Sequence, residues 1–196
     1  MPDEQSKVVG VHLGSGGSPL ILGLPVFAVA SVALGMGLMG TPTGLPPIVP
    51  IIIFSTGLFQ LVTTVWAIVL GQSLVAAIFA LFSGFWLSLA AFLLGLGHGW
   101  YGIPTASVRA SEELFFISYA ILFFFLTIPC LRLPVIYPLI VILVALAVAL
   151  VAAGLFAIAG YVCLVFCFLG FWAWMNVALT ATGVTSVPPL GPQLWP

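Results

Sequence analysis

Six long apolar runs, at about 19–40, 48–70, 74–96, 112–131, 134–154 and 157–181, make up most of this chain. Inside each run the apolar positions are continuous rather than alternating, and each is longer than a barrel strand requires. Lipid offers no partner to backbone N–H and C=O groups, so continuous runs of this length predict membrane-crossing helices. Breakers mark the ends. They are the cluster Gly40-Thr41-Pro42-Thr43-Gly44-Leu45-Pro46-Pro47, then Gly71-Gln72-Ser73, then Arg132 with Leu133-Pro134. The longest connection, 97–111, carries His98, Trp100, Tyr101 and Pro104 and reads as an interfacial loop with aromatic anchors. The pattern predicts an all-α membrane protein with six transmembrane helices in one bundle. A polar N-terminal tail occupies 1–17, the transmembrane domain 18–181 and a C-terminal tail 182–196. Gly57, Ala76, Ala77, Ser83, Gly84, Gly154, Gly160 and Gly170 are the small residues expected where helices approach closely.

Charge sharpens this picture. Between Val8 and Val108, and again from Leu133 onward, there is no Asp, Glu, Lys or Arg. Soluble domains give about a quarter of their residues to charge, whereas here the figure is 4%. The solvent of this chain is therefore the lipid bilayer. A net charge of -1 leaves no basic patch, so nucleic acid is excluded as a partner. The first apolar run lacks a basic flank and a convincing cleavage pattern, so the first span is expected to stay in the protein. With the N-terminus inside, Lys7 and Arg132 are cytoplasmic and Arg109 is not, which favours cytoplasmic ends by one residue.

Enzyme chemistry has little to stand on. The spans lack paired carboxylates, a His–acid pair beside a nucleophile, and a glycine-rich phosphate loop. Glu112 and Glu113 sit at a span start, where acids suit the helix dipole. Cys130, Cys163 and Cys167 form neither a disulfide framework nor a zinc spacing. No enzyme activity, cofactor or metal is expected. Among the polar groups, Ser18 reads as an N-cap of the first helix with Pro19 at its first position, so that free N–H groups there attract an anion. Gly23 allows close approach beside them, and Pro25 removes one helical bond and can kink the helix. Gln60 and Asn176 are the bulkiest polar groups in the spans, both able to donate and accept; Asn176 reads as an interhelical hydrogen bonder, and Trp172 and Trp174 as an interface belt or oligomer contact.

Two stretches are more specific. Ser18-Pro19-Leu20-Ile21-Leu22-Gly23-Leu24-Pro25-Val26-Phe27 opens the first span. Phe54-Ser55-Thr56-Gly57-Leu58-Phe59-Gln60-Leu61 leads to Gly71-Gln72-Ser73 and then Phe82-Ser83-Gly84-Phe85-Trp86-Leu87-Ser88. Together with Thr127, Leu131-Arg132 and Pro188-Pro189-Leu190-Gly191, they resemble the acetate transporter family of acetate/succinate permeases from about Ser18 to Gly191. The resemblance implies a six-helix protomer in a homohexamer, each protomer carrying its own path for small monocarboxylates. It also implies an apolar constriction, whose residues fall on Phe27, Phe82 and, more loosely, Val144. It departs at Ser18 and Ile21, where the family has Asn and Pro, and at Val26 and Phe82, where it has Gly and Tyr. Ala67 stands where the family often carries an acid. These departures make the path drier and less charged than usual, which puts anion conduction, succinate especially, in question.

The residues agree with the resemblance in one respect. Phe27, Phe82 and Val144 lie 8, 8 and 10 residues beyond the span starts drawn at 19, 74 and 134. At about 1.5 Å per residue, that is roughly 12–15 Å into the membrane on three helices of the same direction. Three apolar side chains at one depth can gate by excluding water. The expectation is an integral membrane transporter or channel, in the plasma (inner) membrane, for acetate and similar small carboxylates. Ser18, Gly23, Leu24 and Gln60 are its candidate solute-binding residues. Two other readings stay open: a channel for a small neutral solute such as urea or an amide, and a non-conducting membrane partner or sensor.

Overall fold

The computed structural model describes residues 17–40 and 45–195. The N-terminal tail up to residue 16, with Lys7, lies outside the described residues, as do residues 41–44 of the first breaker cluster. Six α-helices follow in order: α1 (Leu20–Leu38), α2 (Leu58–Val69), α3 (Ser73–His98), α4 (Val108–Cys130), α5 (Ile136–Ala152) and α6 (Phe156–Ala181). Among the described residues β-structure is limited to an isolated bridge between Pro134 and Gln193. The apolar runs thus fold as helices, with ends a few residues from those the breakers predict. The segments Leu20–Leu38, Pro46–Val69, Ser73–His98, Thr105–Cys130 and Phe156–Ala181 are long and apolar enough to cross a membrane; α5 is a shorter apolar helix of 17 residues.

The second segment is not uniform. Ile51–Gly57 is a π-helix, its i→i+5 hydrogen bonds closing rings one residue longer than those of the α2 that continues it. At its end the Gly57 carbonyl accepts from Ser83 Oγ of α3 at 2.8 Å. Gly57 itself is needed for contact, because a Cβ there would meet Leu87 Cδ2 at 2.5 Å.

Helix α1 is the centre of the bundle. It packs along α6 on one side and along α2 and the π-helix on the other. The seam with α6 is closed by small residues: a Cβ on Gly160 would lie 2.7 Å from the Gly35 carbonyl oxygen. Side chains from both neighbours take hydrogen bonds to carbonyls of α1. Pro25 has no N–H to offer the Ile21 carbonyl, and Trp174 Nε1 of α6 donates there instead at 3.2 Å. Thr56 Oγ1 donates to Val26 at 2.7 Å and Cys167 Sγ to Ala28 at 3.5 Å. Trp174 is therefore a clamp inside the protomer rather than the interface belt expected of it.

Both ends of the bundle are tied. At the start of α4, Arg109 pairs with Glu113 at 3.1 Å and Glu112 at 3.6 Å. It also donates to the Val151 and Ala152 carbonyls that end α5, and it lies 5.9 Å from the Phe156 ring centroid. A cation suits a helix C-terminus, where carbonyls lack partners. At the opposite end the C-terminal segment folds back as a strap. Asn176 Nδ2 donates to the Pro188 carbonyl at 2.7 Å and Trp172 Nε1 to Pro189 at 2.9 Å. The Leu190 and Pro192 carbonyls accept from Ile136 and Val135, and Trp195 N–H reaches Leu131. Gly191, at φ +79°, permits the turn, and any Cβ there would collide with Val135. Asn176 thus holds the tail instead of a neighbouring helix.

Candidate functional site

Two cavities lie end to end inside the bundle. The lower one, about 80 Å³, sits at the starts of α1, α3 and α5 and is lined by Leu20, Leu24, Phe27, Phe79, Phe82, Tyr137 and Ile140 among others. The upper one, about 60 Å³, sits between the far ends of those helices and the starts of α4 and α6. Its walls include Phe27, Leu34, Trp86, Glu112, Val144, Cys163 and Phe166. Among the described residues, Phe27 is the one side chain common to both. Each cavity has room for a few water-sized groups, but apolar walls of this kind disfavour water.

Phe27 is held at the junction by aromatic contacts. Its ring meets Phe82 edge-on, with centroids 5.1 Å apart, and Phe166 of α6 at 5.7 Å. Phe82 in turn stacks on Phe123 of α4 at 4.7 Å. Phe27, Phe82 and Val144 are all buried, and they lie seven, nine and eight residues beyond the observed starts of α1, α3 and α5. At about 1.5 Å per residue the three helices bring them to a common depth of roughly 10–14 Å. The structure therefore brings Phe27 and Phe82 into contact and sets Phe27 and Val144 in the wall of one cavity. Sequence reasoning passed over Phe123 and Phe166. It compared only helices of one direction, and the antiparallel α4 and α6 supply the other half of the cluster.

The proposed solute-binding residues are less close-knit. Leu24 lines the lower cavity. Gly23 serves packing: a Cβ there would collide with the Phe79 ring. Ser18 makes no side-chain cap, because Pro19 occupies the cap position. The N–H groups of Ile21, Leu22 and Gly23 already donate to the Ser18 and Pro19 carbonyls at 3.0–3.1 Å. Three of the expected free donors are thus taken by the helix's own first turn. Gln60 is fully buried and lines neither cavity, and its amide nitrogen and oxygen have no protein partner. Gly84 is also not at a close helix contact, since a Cβ there would meet nothing within 4 Å.

The cavities carry few charges. Among the described residues, Glu112 is the one charged residue in either wall, and no Lys or Arg lines them. Among the described residues no group of three or more His, Cys, Asp or Glu side chains could hold a metal ion.

Comparison with known proteins fits this architecture. The fold matches a solved structure titled as the bacterial acetate channel SatP, with a TM-score of 0.78 and 21% identity, covering 88% of this chain and 98% of that one. Comparison with curated protein sequences returns no match. The sequence pattern of the GPR1/FUN34/yaaH family matches residues 7–191, nearly the whole chain, and this protein belongs to that family.

Proposed function

We propose that this protein is a transmembrane channel or transporter for acetate and similar small monocarboxylates, conducting through a path inside each protomer. The observation that carries this reading is the pair of apolar cavities meeting at Phe27, in a chain whose fold matches a bacterial acetate channel. In this reading α5 is the sixth crossing, because its 17 residues span about 25 Å and its neighbours bury it on most sides. Phe27, Phe82 and Val144 form the constriction, and Leu24 guides the solute to it from the lower cavity. The exposed apolar faces of α2, α4 and α6, with residues such as Val65, Phe125 and Phe168, meet lipid and neighbouring protomers of a homohexamer. Both chain ends lie on the cytoplasmic side of the plasma membrane.

The chemistry of the walls selects the form that passes. A bare carboxylate in an apolar throat loses its hydration, at a cost of many kcal/mol unless a cation or several donors replace it. Among the described residues, neither cavity wall holds a cation. The undissociated acid crosses Phe27 far more cheaply, so flux follows the proton gradient.

The test is uptake of labelled acetate and labelled urea into proteoliposomes. Acetate uptake well above empty vesicles, increasing when the outside is acidified, is the expected result. Clear urea uptake with acetate at the empty-vesicle level would replace the carboxylate by a neutral solute. No uptake of either would favour a non-conducting partner.

A further inference from the structure

Charge in this molecule is gathered at one end of the path. Among the described residues the charged side chains are Arg109, Glu112, Glu113 and Arg132. Three of these stand together at the start of α4, beside the upper cavity, and Glu112 forms part of that cavity's wall. Its side chain is 31% exposed rather than sealed in the bundle. Contacts on other helices fix where its charge lies. Glu112 Oε2 is 3.6 Å from Arg109 Nη1, and that nitrogen is 3.5 Å from the Val151 carbonyl oxygen. The guanidinium carbon is 5.9 Å from the Phe156 ring centroid. Val151 and Phe156 line the same cavity. The Glu112 carboxylate thus stands among the residues of the wall, and its field reaches the cavity whichever way its oxygens turn.

Arg109 does not cancel this charge. It lies closer to Glu113, at 3.1 Å, and one guanidinium between two carboxylates leaves a negative charge in excess. His98, at the end of α3 on the same side of the bundle, lies outside the cavity wall; its Nδ1 is 2.9 Å from the Leu94 carbonyl oxygen and its ring stacks on Trp100. Glu112 and Phe27 bound one otherwise apolar cavity, so the excess charge is felt at the constriction. At a separation on the order of 10 Å and an effective dielectric constant of about 20, one unit charge changes the partition of another roughly tenfold. A neutral solute is indifferent to that field. One proton makes acetate neutral, whereas a dicarboxylate such as succinate with one proton still carries a full charge past Glu112.

We propose that Glu112 is the specificity-determining residue of the upper mouth, holding back solutes that retain a negative charge and so separating monocarboxylic acids from dicarboxylates. This rests on the conduction reading above and names what the path refuses. Discrimination here comes from a repulsive element set against the wrong solute rather than from added contacts to the right one. Glu112 forms no bond to the solute and passes it no proton.

Uptake of labelled acetate and labelled succinate by the same proteoliposomes, at one pH, is the test. Glu112→Gln should raise the succinate-to-acetate ratio about three- to tenfold. Glu112→Lys should raise it further, and Glu112→Asp, which keeps the charge, should stay near the wild-type ratio. A response graded by charge is not expected of a residue that only packs. In the wild type the ratio should also rise with added salt, which screens a partly exposed charge. Should the Gln and Lys variants not fold, that salt series decides alone. Folded Glu112→Gln and Glu112→Lys at the wild-type ratio, or a wild-type ratio that salt does not raise, overturns the selector and leaves the channel reading standing. Wild-type protein with no acetate uptake overturns the channel reading, and the selector with it.

Discussion

The two halves of the molecule on either side of Phe27 are built from different materials. The lower half is uncharged in its cavity wall and is held by neutral donors on backbone carbonyls: Trp174 on Ile21, Asn176 on Pro188, Trp172 on Pro189. Among the described residues, the upper half carries the carboxylate, the indole and the thiol of the two cavity walls, against the one phenol of Tyr137 below. Glu112, Trp86 and Cys163 line its wall, and the Arg109 clamp ties three helix ends beside it. The lesson is a division of labour along one axis. On the proposed conduction reading, the lower cavity admits a solute past Tyr137 as its one polar side chain among the described residues, and the upper one offers the more varied groups for telling one small molecule from another.

The largest effect that would break this comparison comes from the upper wall's thiol. Cys163 lines the upper cavity, while Cys130 and Cys167 line neither. Mercuric ion should abolish most acetate uptake by the wild type. Cys163→Ala should conduct through the same treatment, and Cys130→Ala should remain as sensitive as the wild type. Equal sensitivity in Cys163→Ala would place the solute path elsewhere.

The sequence disclosed the helices and missed how they are joined, for a physical reason. Apolar runs bounded by Gly71, Pro134 or Arg132 are local facts, and lipid permits them one backbone solution. The contact of Phe27 with Phe82 was legible because equal depth on helices of one direction needs only counting. The membership of Phe123 and Phe166 was not, since it depends on how antiparallel helices are rotated about their axes. The same holds for Gly23, whose missing Cβ makes room for Phe79 rather than a solute. Ser18 failed as a cap because Pro19 took that position and the backbone satisfied the first turn. The π-helix at Ile51–Gly57, the strap held by Asn176 and the unmatched Trp86 N–H have no linear signature at all.

A paired measurement sharpens the contrast in what holds each half. Gly160→Ala would press a methyl onto the Gly35 carbonyl in the upper seam, an overpacking that costs about 1–3 kcal/mol. Asn176→Ala would loosen the strap on the lower half by one hydrogen bond, about 1 kcal/mol. Thermal unfolding in detergent should therefore fall more for Gly160→Ala. Limited proteolysis should cut the tail beyond residue 183 sooner in Asn176→Ala alone. Tail cleavage unchanged by Asn176→Ala would show that the strap is held by its backbone bonds to Val135 and Ile136.

The central claim is that Phe27 is the single side chain parting two cavities of one conduit. Its most direct test is the rate of acetate uptake across Phe27→Ala, wild type and Phe27→Trp, with folding checked by size-exclusion chromatography. The rate should rise severalfold with alanine and fall toward the empty-vesicle level with tryptophan. Folded variants that all transport at the wild-type rate would mean that acetate does not pass Phe27.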